Sequence, residues 1–176
     1  TRLVFPIVPA RDKRVTSTIS SGVAIGCVSR RRMSVANKVL VYRWYEEVWN
    51  KKRENAIDEM LSPDVTLYGL TDNPTEALKG PDAFRKYWRE MISVFPDVHV
   101  AVESTIGEED KVAARCSLRA THTGEGFGLK PTGKRIHITG MRICTFRDTR
   151  VIEAWNNFDI LAVYRQLGFF PTAGIK

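Results

Sequence analysis

The sequence predicts an α+β domain, a curved antiparallel sheet wrapped around about three helices to form a cone with an interior pocket. Three observations carry this. Two segments, "ANKVLVYRWYEEVWNKK" and "PDAFRKYWREMISVF", repeat apolar residues at helical spacing. Three later segments alternate apolar and polar residues over lengths suited to strands. The chain then closes on "RVIEAWNNFDILAVYRQLG", a strand running directly into a helix.

The first helix places Val41, Trp44, Tyr45, Val48 and Trp49 on one stripe. "ENAIDEML" gives a short second helix ending before Ser62-Pro63, and "VTLYGL" gives a first strand. Pro81 stands near the start of the third helix, where its missing N–H costs nothing. In "VHVAVEST", Val98, Val100 and Val102 face inward. In "KVAARCSLRATH", Val112, Ala114, Cys116, Leu118 and Ala120 face one way and Lys111, Arg115 and Arg119 the other. Such half-buried strands belong to an antiparallel sheet with helices on one side. Ile152, Ala154, Asn156 and Phe158 share a face of the last strand; Asp159 then caps the final helix and Gly168 stops it.

A chain of 176 residues, 43% hydrophobic and 27% charged, suits one soluble domain with a single core. No apolar run is long enough to span a membrane. Cys27, Cys116 and Cys144 are widely spaced, without a CxxC pair or a His/Cys cluster. They indicate neither a metal site nor a disulfide framework, and fit a reducing compartment. The net charge of +7 is concentrated: residues 1–32 contribute +6, through seven basic side chains against Asp12, and the rest of the chain only +1. The domain itself has no basic stripe interleaved with aromatics, so nucleic acid is not an expected partner.

The basic arm, residues 1–33, is rich in Arg, Ser and Thr, and residues 34–176 form the domain. Three readings of the arm stand open. It is a transit segment or its remnant, placing the protein in a mitochondrion or plastid rather than the cytoplasm. It is an extended arm whose residues 1–32 dock on a protein partner, with "LVFPIV" as anchor. Or it is extraneous, because "MSVANK" from Met33 reads as a natural start; a chain beginning at Thr1 favours a processed or truncated precursor.

The polar residues on the inward face are the candidates for chemistry. Arg142 shares its face with Ile138 and Cys144. It either snorkels to an edge and pairs with an acid, or binds a carboxylate, ester or enolate oxygen in the cone. His122 ends its strand's apolar face and is either a satisfied structural histidine or an acid–base group. Asn156 points among apolar neighbours and requires a partner or a ligand. The loop "HTGEGFGLKPTGKR" is a wide hairpin connection or a lid over the cone mouth; it lacks the context of a phosphate-binding loop. Tyr45, Trp49, Tyr68, Trp88, Phe127 and Phe158 supply aromatic walls for an apolar or aromatic small molecule.

The run from about 36 to 168 resembles the SnoaL-like polyketide cyclases, or ester cyclases, of the nuclear transport factor 2-like superfamily. The resemblance rests on "NKVLVYRWYEEVWNKK", "GPDAFRKYWREMISVFPDVHV", "ATHTGEGFGLKPTGKRIHITGMRI" and "FRDTRVIEAWNNFDILAVYRQLG", in that order. It implies a curved sheet over three helices, a homodimer, and an aldol closure needing neither metal nor organic cofactor. The acid–base Asp of those cyclases falls at Asn156, a neighbouring His at Ala154, and a further pocket His at Arg142. An amide holds and polarises an oxygen but does not shuttle a proton as a carboxylate does. The expected function is therefore a pocket protein, as an enzyme a cofactor-independent cyclase, isomerase or lyase for an apolar carbonyl or ester. A non-catalytic ligand-binding domain and a structural subunit anchored by the arm are the alternatives.

Overall fold

The computed structural model describes residues 23–170 apart from Pro74, with side chains from Ser34 onward. Most of the basic arm, residues 1–22, lies outside the described residues, and the readings made of it rest there. Helix α1 (Val23–Trp44) starts well before Ser34, and a π-helical segment, Tyr45–Asn50, continues it. The wider turn is seen in Lys51 N–H donating to Glu46 O at 2.8 Å, five residues back. Helix α2 (Ala56–Met60) leads straight into β1 (Leu61–Tyr68), so Ser62-Pro63 opens the strand. The short β2 (Ala77–Lys79), which the sequence reading lacks, pairs with β1 and precedes α3 (Gly80–Val94). Strands β3 (His99–Glu108), β4 (Lys111–Thr121), β5 (Arg135–Arg147) and β6 (Arg150–Phe158) follow, then α4 (Ile160–Leu167).

The six strands form one sheet in the order β2-β1-β6-β5-β4-β3. The α+β class is as expected, with one difference in detail. β1 joins the otherwise antiparallel sheet parallel to β6, with α2, β2, α3 and the β3–β5 meander outside that pair. Register shifts interrupt three ladders, that of β1 with β6 between Leu61 and Thr66 and two others. One falls on β3 between Val102 and Ser104, so Ile106 faces outward at 75% exposure. The other falls on β6 around Ile152. It puts Val151 rather than Ile152 on the buried side with Ala154 and Asn156, correcting the face read from strict alternation.

The core fills the hollow between the concave sheet face and the helices. Trp44, Tyr45, Val48 and Trp49 descend onto β3, β4 and β5, and Phe84 and Trp88 of α3 pack beside them. Trp88 Nε1 donates to Val48 O at 3.0 Å, tying α3 to the π-helical segment. Asn50 ties the same segment to the sheet edge: its Oδ1 accepts from Val100 N–H at 2.8 Å and its Nδ2 donates to Val100 O at 3.1 Å. The terminal helix is built as expected, with Asp159 Oδ1 accepting from Ala162 N–H at 2.9 Å and Gly168 closing it at a φ of 88°.

Replacing Asn50 by Ala removes both bonds to Val100 and leaves part-buried backbone groups unpaired. Urea unfolding of Asn50→Ala should show a loss of about 2 kcal/mol with an unchanged m-value.

Candidate functional site

On β5 the inward positions read Ile136, Ile138, Gly140, Arg142, Cys144 and Phe146, all buried. One of them is a cation. Arg142 is paired in register with Ala114 on β4 and Asn156 on β6, so Arg142 and Asn156 stand side by side on the concave floor. They are 5% and 7% exposed, against 0% for Cys116 and Ala154 nearby, so a trace of solvent reaches the two polar residues. The guanidinium carbon lies 4.9 Å from the centroid of the Trp44 ring, in the range of a cation–π contact. No carboxylate forms an ion pair with Arg142 among the described residues. The edge-snorkelling reading does not hold: the charge stays inside.

The polar groups around that charge are neutral, and several donors among them are unpaired. Arg142 Nε, Tyr45 Oη and Trp44 Nε1 are all buried without a hydrogen-bond partner. Burial pushes the Tyr45 hydroxyl well above its ordinary pKa, although the nearby Arg142 charge opposes the rise. Burial likewise raises the Cys144 and Cys116 thiols. All three acids therefore stay protonated at neutral pH, while Arg142 stays charged. The site offers a cation and a neutral phenol donor, and no ionised base beside them. This is the chemistry of oxyanion stabilisation rather than of proton abstraction.

Asn156 has a structural task as well. Its Nδ2 donates to Tyr68 O at 2.8 Å, fastening the end of β1 against β6. The chain packs so closely there that a Cβ on Gly69 would stand 2.0 Å from Asn156 O, and Gly69 itself has a φ of 72°.

The other expected site residues divide. Tyr45 and Trp49 are buried on the concave side, and Trp88 is fixed by its bond to Val48 O. The Phe158 ring covers Gly140, so any Cβ at that glycine would strike it. Tyr68 sits on the opposite, convex face, stacked on Trp155 with centroids 4.0 Å apart. Phe127 is 42% exposed on the hairpin connection, its N–H held by Glu90 Oε1 at 3.0 Å. That connection is docked on α3, through Thr123 and Gly124 N–H donating to Val94 O.

His122 is the main departure. It lies eight positions beyond Ala114 along β4, about 26 Å of strand at the usual rise. There it is fully buried, with Nδ1 3.1 Å from Thr132 Oγ1, its ring against Phe95 and its Nε2 unpartnered. It does not join Arg142 and Asn156. The sequence reading missed the donor role of Tyr45 and the placement of Trp44 over Arg142. Their adjacency in the helix could have signalled it, since two successive aromatics cannot both sit on a narrow stripe unless they flank something.

An open, shallow concavity of about 370 Å³, lined by Arg115, Met141, Asn157 and Phe158 among others, lies at the end of β6. Arg142, Tyr45 and Trp44 do not line it; they lie buried on the concave side. Among the described residues no group of His, Cys, Asp and Glu is arranged to hold a metal ion.

A buried charge without a counter-ion is a stability cost carried for another reason. Arg142→Met should raise the melting temperature of the ligand-free protein, by about 1–4 kcal/mol of added stability, in differential scanning calorimetry.

The chain resembles AclR from Streptomyces galilaeus, with 28% identity, a TM-score of 0.70, and coverage of 80% of this chain and 86% of that one. It resembles IdmH from Streptomyces antibioticus at 28% identity and a TM-score of 0.67, covering 75% of this chain and 98% of that one. A SnoaL-like protein from Jannaschia sp. CCS1, 22% identical with a TM-score of 0.70 and coverage of 79% and 96%, shares the fold. No match is found among curated proteins. The model of the SnoaL-like polyketide cyclases matches residues 39–167, which contain Arg142, Asn156 and the aromatic wedge above them; the chain belongs to that family.

Proposed function

We propose that the concave face around Arg142 binds a small molecule with an apolar or aromatic body and turns it over without a cofactor, as a cyclase, isomerase or lyase. The observation that carries this reading is the cluster of unpartnered donors on Arg142, Tyr45 and Trp44 within an otherwise apolar core. Such groups are rare in native interiors, and a bound oxygen is what would satisfy them. In the reaction, Arg142 and Tyr45 would hold a substrate oxygen that carries negative charge. The aromatic side chains of the π-helical segment and α3 would hold the body of the substrate. The fold alone does not select the chemistry; the descriptions of AclR and IdmH name a hydroxylase and a polyketide cyclase.

A second reading, a binding domain without turnover, draws on Asn156. Where the family's acid–base carboxylate would stand, this chain has an amide whose nitrogen is occupied by Tyr68 O. Native mass spectrometry of the full chain purified from its source separates these readings from a protein with no ligand. The protein should carry a small adduct that disappears in Arg142→Ala; an adduct recovered chemically changed after incubation marks an enzyme, and one recovered intact marks a carrier. A bare chain in both preparations would remove the pocket from consideration.

The homodimer implied by the family would use the convex face. Tyr68, Trp155, Ile143, Ala113 and Ile106 lie in one row of directly paired residues across β1, β6, β5, β4 and β3. Four of its five side chains are large and apolar or aromatic, and three of those are 46–75% exposed. A two-fold axis along β5 would bring the row onto itself and set Glu153 of one chain against Lys111 of the other. Sedimentation velocity should show a dimer for the native chain and a monomer for Ile143→Glu, with the adduct retained. A monomeric native chain would remove this arrangement.

A further inference from the structure

We infer that the ligand of the Arg142 site is a monoanion that presents a carboxylate to the guanidinium. This rests on the reading of the concave face as a small-molecule pocket and narrows it. A carbonyl or ester alone is not enough.

The argument is one of charge and of donors. Arginines at the surface of this protein meet carboxylates: Arg43 pairs with Glu59, Arg85 with Asp58, and Arg147 with Asp64. Arg142, the buried one among the described arginines, pairs with none of the described carboxylates. Guanidinium does not lose its proton in proteins, so the charge cannot be discharged by titration. Its ionisable neighbours, Tyr45 and Cys144, are kept neutral by burial. The Trp44 face 4.9 Å away returns only part of the cost of desolvating a full charge. Among the described residues, therefore, no ionised acid offsets this positive charge within the core.

The hydrogen-bond inventory points the same way. Two of the three unpartnered groups, Arg142 Nε and Trp44 Nε1, can only donate, and Tyr45 Oη can donate. The acceptors near the guanidinium, the Tyr45 phenol, the Cys144 thiol and the Asn156 amide, are all neutral, and among small organic groups a carboxylate is the acceptor-only one with several lone pairs and a charge of opposite sign. A ketone or ester oxygen would accept bonds from the same donors but leave the charge as it was. A phosphate is a poorer fit: a dianion facing one cation would replace a positive surplus by a negative one. The natural substrate on this reading is an acid with an apolar body, a keto acid or aryl acid, rather than its ester.

The experiment uses the full chain and three acids of increasing size, benzoate, cinnamate and 2-naphthoate, each compared with its primary amide and methyl ester at pH 7. Binding is read by isothermal titration calorimetry and by quenching of tryptophan emission, since Trp44 borders the site. At least one acid should bind about tenfold or more tighter than its amide and ester, the preference expected of a paired charge. In Arg142→Met that preference should vanish, while Arg142→Lys, which keeps the charge without the planar fork, should retain part of it. Amides or esters binding as well as their acids would overturn the inference and leave the pocket standing. Failure of every acid, amide and ester to bind would overturn the pocket reading and the inference with it. An acid preference that survives in Arg142→Met would place the anion elsewhere and likewise overturn it.

Discussion

The structure depends on how one helix is allowed to widen. Between Trp44 and Asn50 the chain leaves α-helical geometry for a π-helical segment, and that extra width carries Trp44 and Tyr45 into the hollow of the sheet together. Trp88 reaches across from α3 to bond the carbonyl of Val48, and Asn50 grips both backbone groups of Val100 at the segment's end. The wedge is therefore clamped on two sides. Because it is clamped, the Trp44 ring can lie over Arg142 and the Tyr45 hydroxyl can be buried beside it. Fold and site share the same few residues.

What results is a core that is not optimised for its own stability. An apolar residue at position 142 would complete a run of buried side chains on β5 that is otherwise Ile, Gly, Cys and Phe. A charge there makes sense only if something else, present part of the time, compensates it. The amide at position 156 shows the opposite compromise. It occupies the neighbouring position on the floor, yet part of its bonding capacity fastens β1, so changing it would alter both architecture and site.

Much of this was legible in the sequence where a local rule decides the outcome. The alternation of β4 and β5, the proline opening α3, the Asp159 cap and the Gly168 stop all follow from short-range geometry. So did the inward face of Arg142, His122 and Asn156, read from strand phase, although phase left open whether the Arg142 charge snorkelled to an edge. What escaped was set by distant partners. The parallel pairing of β1 with β6 has no local signature, and without it the side of the sheet to which Tyr68 points cannot be assigned. The shift at Ile152 reverses a face by one residue, which no period-two pattern registers. His122 and Arg142 share a sheet face, but phase says nothing of separation along a strand, and so they read as one constellation when they are two. The unpartnered atoms around Tyr45 became visible only once side chains from a helix and two strands met.

The parallel strand has a consequence for how the molecule comes into being. β1 is made early, yet its partner in the sheet centre, β6, lies far along the chain: Leu61 pairs with Val151 and Tyr68 with Trp155. During synthesis β1 and the three-residue foothold it offers β2 must wait, with an apolar inner side and open backbone groups, until almost the entire domain has emerged. The β3–β4–β5 meander can assemble as each hairpin appears, but the sheet cannot close around its wedge before the C-terminal strand arrives. The floor of the site, where Arg142 meets Asn156, is thus among the last parts to form, and a chain cut short before β6 would lack both Asn156 and the strand that joins β1 to β5.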